Sequence, residues 1–193
     1  MKESIKLGFI LLILCAVSAG LLAIVNAYTA PVIMQNELKE TLASYQTIYG
    51  EDAEEVTPVD QGLLKEVQEK FPDIESVFEV KKGGNLIGYG INVKGNGFGG
   101  EMTNALGFYI ENKTIAGFRN IVNAETKGFG TRIADETYYS SYNGKSAAGD
   151  LTISKDPSAE NQVLLMTGAT VTSKAVLAAD NVAIQAFNYL LAK

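Results

Sequence analysis

The chain contains no histidine and a single cysteine among its 193 residues. The first absence removes the usual general base and the commonest metal ligand, and with them any Ser-His or Cys-His catalytic arrangement. The second excludes a thiolate zinc site or an iron–sulfur cluster built by this chain alone, and leaves no disulfide pair. Positive charge is also scarce. Sixteen lysines and arginines face 22 aspartates and glutamates, a net charge of -6, so nucleic acid is excluded as a partner by repulsion. Redox chemistry in such a chain has to reside in an organic cofactor.

What is present begins with an unbroken apolar and small-residue run over residues 7–25, the length of a bilayer-spanning helix. Lys2 and Lys6 precede it, and the next basic residue is Lys39. The positive-inside rule therefore predicts a cytoplasmic N-terminus and a chain that lies outside the cytoplasm after Tyr28. Val25-Asn26-Ala27 resembles a signal-peptidase site, but the run exceeds a signal h-region, so an uncleaved anchor in the inner or plasma membrane is expected. Leu14 is too large to precede a lipidated cysteine, which leaves Cys15 as a small lipid- or helix-facing residue.

Pro31 is expected to end the span, because proline disfavours helix at the residue before it. A second helical pattern starts at Asn36, with Leu38, Leu42, Tyr45 and Tyr49 on one stripe. Residues 50–57 are acidic and loop-like, and a helix over residues 60–71 stops at Pro72. Two hairpins follow. Residues 76–80 and 86–93 flank Lys82-Gly83-Gly84-Asn85, and residues 105–110 and 114–122 flank Glu111-Asn112-Lys113. A helix with tyrosines along one side is expected over residues 132–142, and a loop over 154–161. A last helix buries Val176, Ala179, Ala183, Phe187 and Leu190 at spacings of three and four. The organisation read from this is a membrane helix (1–28), a stalk and linker (29–56), and an extracytoplasmic α+β domain built on antiparallel hairpins (57–193).

Two glycine clusters stand at strand ends. "KGNGFGGEM" carries Gly95, Gly97, Gly99 and Gly100 around Phe98, and "NAETKGFGTRI" carries Glu125, Thr126, Gly128, Phe129 and Gly130. Either they are plain turns, or they let the backbone approach a flat ligand closely. Neither is a dinucleotide fingerprint. Before the last helix, Thr167-Gly168-Ala169-Thr170-Val171-Thr172-Ser173 brings four hydroxyls within seven residues. Thr172 or Ser173 suits an N-cap. The same stretch suits a phosphate. A helix start offers unpaired N–H groups and positive potential, Gly168 and Ala169 leave room around Thr170, and Lys174 adds a cation.

That string resembles the "SGAT-x-T" flavinylation motif of the FMN-binding domain family, in which FMN is joined through its phosphate to the threonine that ends "GAT", here Thr170. The family includes the G subunit of the Rnf complex and the C subunit of the sodium-pumping NADH:quinone reductase. The resemblance extends over one N-terminal span, a "TAP" exit at Thr29-Ala30-Pro31, a "GxGGxI"-like loop at residues 97–102 and an "ETPGLG"-like loop at residues 125–130. Thr167 replaces the motif serine, Lys127 and Phe129 replace the proline and leucine of the second loop, and Asn123 stands where histidine is often found. Leu164 and Leu165 occupy a stretch that often holds an aspartate. The short chain favours the Rnf branch. The resemblance implies a covalent FMN relay without NAD chemistry of its own, in a complex passing electrons between ferredoxin and NAD with sodium or proton movement. It implies membrane and iron–sulfur Rnf subunits as partners and a flavin transferase for maturation. The competing readings are a component of the quinone reductase or of another extracytoplasmic electron chain, and an anchored, flavin-free binding or sensor domain.

Overall fold

The computed structural model describes residues 2–193. It opens on one helix, α1, Lys2–Tyr49, which runs through Pro31 without a break. The expected interruption does not occur. A proline removes one backbone donor, and the bonds of a 48-residue helix on either side outweigh that loss. The chain divides into two compact units, Met1–Glu40 and Thr41–Lys193. The first is the apolar length of α1, with Leu7, Phe9 and Leu21 all exposed, and a mean hydropathy of 2.8 over its most apolar window marks it as long and apolar enough to cross a membrane.

The second unit is a five-stranded antiparallel sheet in sequential order. After a single 3-10 turn at Gly50–Asp52 comes an edge strand, β1, Glu55–Pro58, where a loop was expected. Its polar composition gives no strand signal, and Pro58 is tolerated at its end. Helix α2, Gln61–Lys70, is capped by Asp60, whose carboxylate accepts from the Gly62 N–H at 2.7 Å. The two hairpins form as the turn residues predict. β2, Ile74–Lys82, and β3, Asn85–Asn96, join through Gly83 and Gly84, both at positive φ. β4, Glu101–Tyr109, and β5, Thr114–Asn123, complete the sheet.

Residues 132–142 form no single helix. A 3-10 turn at Gly130–Ala134, a four-residue α3 at Glu136–Tyr139 and a second 3-10 turn at Ser140–Tyr142 take its place, because Asp135 is extended and interrupts the winding. The tyrosine stripe survives, since Tyr138 and Tyr142 are buried against Phe118. Part of the expected loop at 154–161 is strand-bound at its ends: β6, Thr152–Ser154, pairs in parallel with β7, Gln162–Leu164. The final helix, α4, Thr170–Leu191, packs its predicted stripe on the sheet, and Phe187 stacks on Phe108 with ring centroids 4.7 Å apart.

The other sheet face is covered by the last turns of α1. Thr41, Tyr45 and Tyr49 are buried at helical spacing, whereas Leu38 of the expected stripe is exposed. Gly90, Gly107 and Gly117 are directly paired across β3, β4 and β5 and form a track of missing side chains. A Cβ on Gly90 would lie 2.5 Å from the Tyr45 ring, and one on Gly107 would lie 2.5 Å from Ile48. The Tyr49 hydroxyl accepts from the Phe108 N–H at 2.7 Å, and Tyr45 donates to the Asn92 side chain at 2.6 Å.

Candidate functional site

The turn between β7 and α4 is built by its own hydroxyls. Gly168 adopts φ +85, a conformation suited to glycine, and the Ala169 N–H returns to the Met166 carbonyl at 3.2 Å. Ser173 clamps this turn: its Oγ accepts from the Met166 N–H at 3.1 Å and donates to the Ala169 carbonyl at 3.0 Å. Helix α4 therefore starts at Thr170, with Ala169 in the cap position and no side-chain cap. Thr172 and Ser173 are not N-caps. They lie inside the first turn and a quarter, where both are buried. Among the described residues none accepts from the N–H groups of Thr170, Val171 or Thr172. An apolar cap has left these donors free, which is the condition for an anion at a helix start.

Glu125 is the internal partner of this turn. Its carboxylate is buried. Oε2 accepts from the Thr172 hydroxyl at 3.0 Å, and Oε1 accepts from the Gly99 N–H at 3.3 Å. The two glycine loops close around it. A Cβ on Gly97 would sit 1.9 Å from Oε1 and one on Gly130 2.1 Å from Oε2, while one on Gly99 would meet the Ala124 carbonyl at 2.2 Å. These three glycines are required by the chain's own packing. Gly128 differs: it has φ +79 and open space around its Cα. Gly100, at φ +141, faces Ala124. The Arg132 guanidinium donates to the Thr167 carbonyl at 3.2 Å and ties the second loop to the turn.

A cleft of about 480 Å³ opens where these pieces meet. Phe98 lines it from the first loop; Glu125, Thr126, Phe129 and Gly130 line it from the second, and residues 168–172 close it from the helix start. Phe98 is 73 % exposed, Phe129 58 % and Val171 57 %, so three large apolar groups stand bare at its mouth. The exposed Thr170 sits on its wall. Of the residues singled out from the sequence, Thr167, Ser173, Lys174, Gly97, Gly99, Gly100 and Gly128 do not line the cleft. Lys174 is exposed one helical turn beyond Thr170. Val171, the variable position of the motif string, also lines the cleft, whereas Asp180, which no motif singled out, is a buried carboxylate farther along the apolar stripe of α4. A charged residue four positions after Val176, in the middle of that stripe, was the available signal.

The residues present fit a flavin mononucleotide: free N–H donors beside a hydroxyl for the phosphate, bare aromatic groups for the ring, and a cleft within the roughly 300–1,000 Å³ usual for such ligands. Comparison with known proteins agrees. The FMN-binding domain family matches residues 97–185, and the RnfG N-terminal region matches residues 1–48. The chain is 30% identical over 196 residues to the G subunit of the Na(+)-translocating ferredoxin:NAD(+) oxidoreductase complex of Acetobacterium woodii, covering 98% of this chain and 94% of that one. It is 28% identical to the G subunit of the proton-translocating ferredoxin:NAD(+) oxidoreductase complex of Clostridium ljungdahlii, covering 86% and 82%. In fold it is similar to the C subunit of the Na(+)-translocating NADH-quinone reductase of Parabacteroides distasonis, with a TM-score of 0.54, 19% identity and coverage of 77% and 82%. NqrC of Shewanella oneidensis gives a TM-score of 0.53 at 23% identity, covering 60% of each chain. The chain thus belongs to the FMN-binding domain family, in the branch of the G subunits of ion-translocating ferredoxin:NAD oxidoreductase complexes.

Proposed function

We propose that the chain is the membrane-anchored electron-relay subunit of an Rnf-type ferredoxin:NAD oxidoreductase, and that it carries FMN as a phosphoester on Thr170. The observation that carries this reading is the convergence of Phe98, Glu125, Phe129 and the uncapped start of α4 on one cleft with Thr170 in its wall. Bound FMN supplies a carrier that exchanges one or two electrons, which a chain without histidine or usable cysteine otherwise lacks. The Thr170 hydroxyl would hold the phosphoryl group, with the free N–H groups of the first turn available as donors to it. Phe98 and Phe129 would supply the apolar contacts for the ring and exclude water from it. Gly168 keeps the approach to Thr170 clear, and Lys174 adds positive charge one turn away.

The apolar part of α1 anchors the protein, with Lys2 and Lys6 holding the N-terminus in the cytoplasm and residues 57–193 outside it. There a tethered cofactor is not lost by diffusion. The partners are the membrane and iron–sulfur subunits of the complex and a flavin transferase that loads Thr170.

The test is the full-length chain produced with a flavin transferase, against Thr170→Ala. The parent protein is expected to fluoresce on a denaturing gel and to gain the mass of one FMN, and the variant to do neither while keeping its far-ultraviolet circular dichroism. Flavin retained by the variant after denaturation would move the attachment to Thr172 or Ser173. A parent without flavin would favour the binding-domain reading.

A further inference from the structure

A chain of side-chain amides leads away from the cleft into the core. The Glu125 N–H donates to Asn123 Oδ1 at 3.1 Å, Asn123 Nδ2 to Asn120 Oδ1 at 2.5 Å, and Asn120 Nδ2 to Asn104 Oδ1 at 2.9 Å. Asn104 Nδ2 donates to Asp180 Oδ1 at 3.1 Å. The polarity of this chain is fixed at its ends. A backbone N–H can only donate and an ionised carboxylate can only accept, so every amide between them points its donor toward Asp180. Both end residues are held by one helix, because Thr172 of α4 holds the Glu125 carboxylate and Asp180 lies eight residues further along α4.

We propose that Asp180 is a positioning residue for the flavin cleft, its charge polarising Asn104, Asn120 and Asn123 so as to hold Glu125 in place. Aligned hydrogen-bonded dipoles strengthen one another in a buried setting, and the effect is greatest when the terminal acceptor is charged. Asp180 is fully buried. Tyr142 donates to its other oxygen at 2.7 Å, and the Tyr138 hydroxyl lies 3.3 Å from that of Tyr142. Both tyrosines are pushed above their ordinary range by burial, so they remain neutral donors. No lysine or arginine among the described residues pairs with Asp180. Burial pushes its carboxyl up to about 7, against the pull of the hydrogen bonds from Tyr142 and Asn104. The charge on the chain therefore switches near neutrality, and with it the hold on Glu125. No such site is marked by the glycine loops or the GAT turn. The effect on flavin rests on the functional reading above, whereas the link between Asp180 and Glu125 stands without it.

The experiment uses the full-length Thr170→Ala protein in detergent micelles, which carries no flavin under that reading. The shift of the Glu125 backbone amide is followed by NMR over about two pH units either side of neutrality. It is expected to titrate with a midpoint near 7. The titration should vanish with Asp180→Asn, which keeps an acceptor for Asn104, meets Tyr142 only by donating to its hydroxyl, and removes the charge, and persist with Glu125→Gln. Tyr142→Phe, a conservative change at a buried ring, should move the midpoint to higher pH, because a bond favouring the ionised form is gone. A flat Glu125 amide, a titration that survives Asp180→Asn or one that is lost only in Glu125→Gln overturns the proposal. Should Asp180→Asn not fold, an unmoved midpoint in Tyr142→Phe overturns it equally. In flavin-loaded parent protein, the flavin potential should show a break in its pH dependence near the same midpoint, absent in Asp180→Asn. A break that persists in Asp180→Asn refutes the effect on the cleft, and a parent that carries no flavin counts against the functional reading and leaves the amide titration to decide.

Discussion

The Thr172 hydroxyl donates to the buried carboxylate of Glu125 across 3.0 Å, and the two residues are 47 positions apart in the chain. This bond joins the start of α4 to the second glycine loop, two residues past the threonine proposed to carry the flavin. Thr172→Val keeps the shape of the side chain and removes the donor, leaving a buried acceptor without its strongest partner. The expected cost is about 1–3 kcal/mol, with flavin attachment at Thr170 retained. Thermal melts of the loaded protein beside its intact mass check both parts, and an unchanged melt would show that the bond contributes nothing.

The two glycines of the second loop should fail differently. Gly130→Val drives a branched side chain into Glu125, where a Cβ alone would lie 2.1 Å from the carboxylate, so Glu125 is displaced and the cleft opens. Gly128→Val meets open space but must adopt φ +79, at about 1–2 kcal/mol of backbone strain. Quenching of flavin fluorescence by iodide is expected to rise sharply in the first and little in the second. Equal behaviour would reduce Gly130 to a turn residue.

Asp180 gives the stability a slope. In the unfolded chain its carboxyl ionises near its ordinary value of 3.8, and in the folded chain burial holds the proton up to about 7. Between those values the folded state binds the extra proton, so its contribution to stability falls as pH rises through this window and the loss is complete above 7. The size is on the order of 4 kcal/mol. Asp180→Asn should flatten this part of the curve and be the more stable protein at mildly alkaline pH. Melting temperatures of both proteins across the window decide the matter; parallel curves would mean that Asp180 does not titrate there.

The loaded chain by itself should accept electrons from dithionite but oxidise NADH negligibly, since it has no nucleotide fingerprint and no side chain suited to handle hydride. In membranes, Thr170→Ala should stop ferredoxin-to-NAD transfer while the other subunits still assemble. Rapid NADH turnover by the purified chain would contradict the relay assignment.

Much of this architecture is written in local signals. Gly83-Gly84 demands a tight hairpin, the Tyr45/Tyr49 stripe demands a surface to cover, and Thr170 stands in a string specific enough to mark a family. The start of α4 was harder to read, because Thr172 and Ser173 have the chemistry of caps and the fold uses them one turn later for other partners. The glycine loops were legible as constrained backbone, but not the reason for the constraint. A carboxylate arriving from Glu125 is a tertiary contact, and no spacing announces it. The edge strand β1 and the parallel pair β6–β7 are only three or four residues long, and they owe their form to neighbours supplied elsewhere. Pro31 carried a local rule that a long helix overrides.

The glycine track on β3, β4 and β5 has a practical consequence for any water-soluble version of this protein. Residues 41–49, read from the sequence as part of a stalk, serve as the lid of a sheet face. A fragment cut after Tyr49 would present Phe78, Val80 and Ala105 beside a side-chain-free trench, an adhesive surface for another copy of itself. The place to sever the anchor is upstream of Thr41.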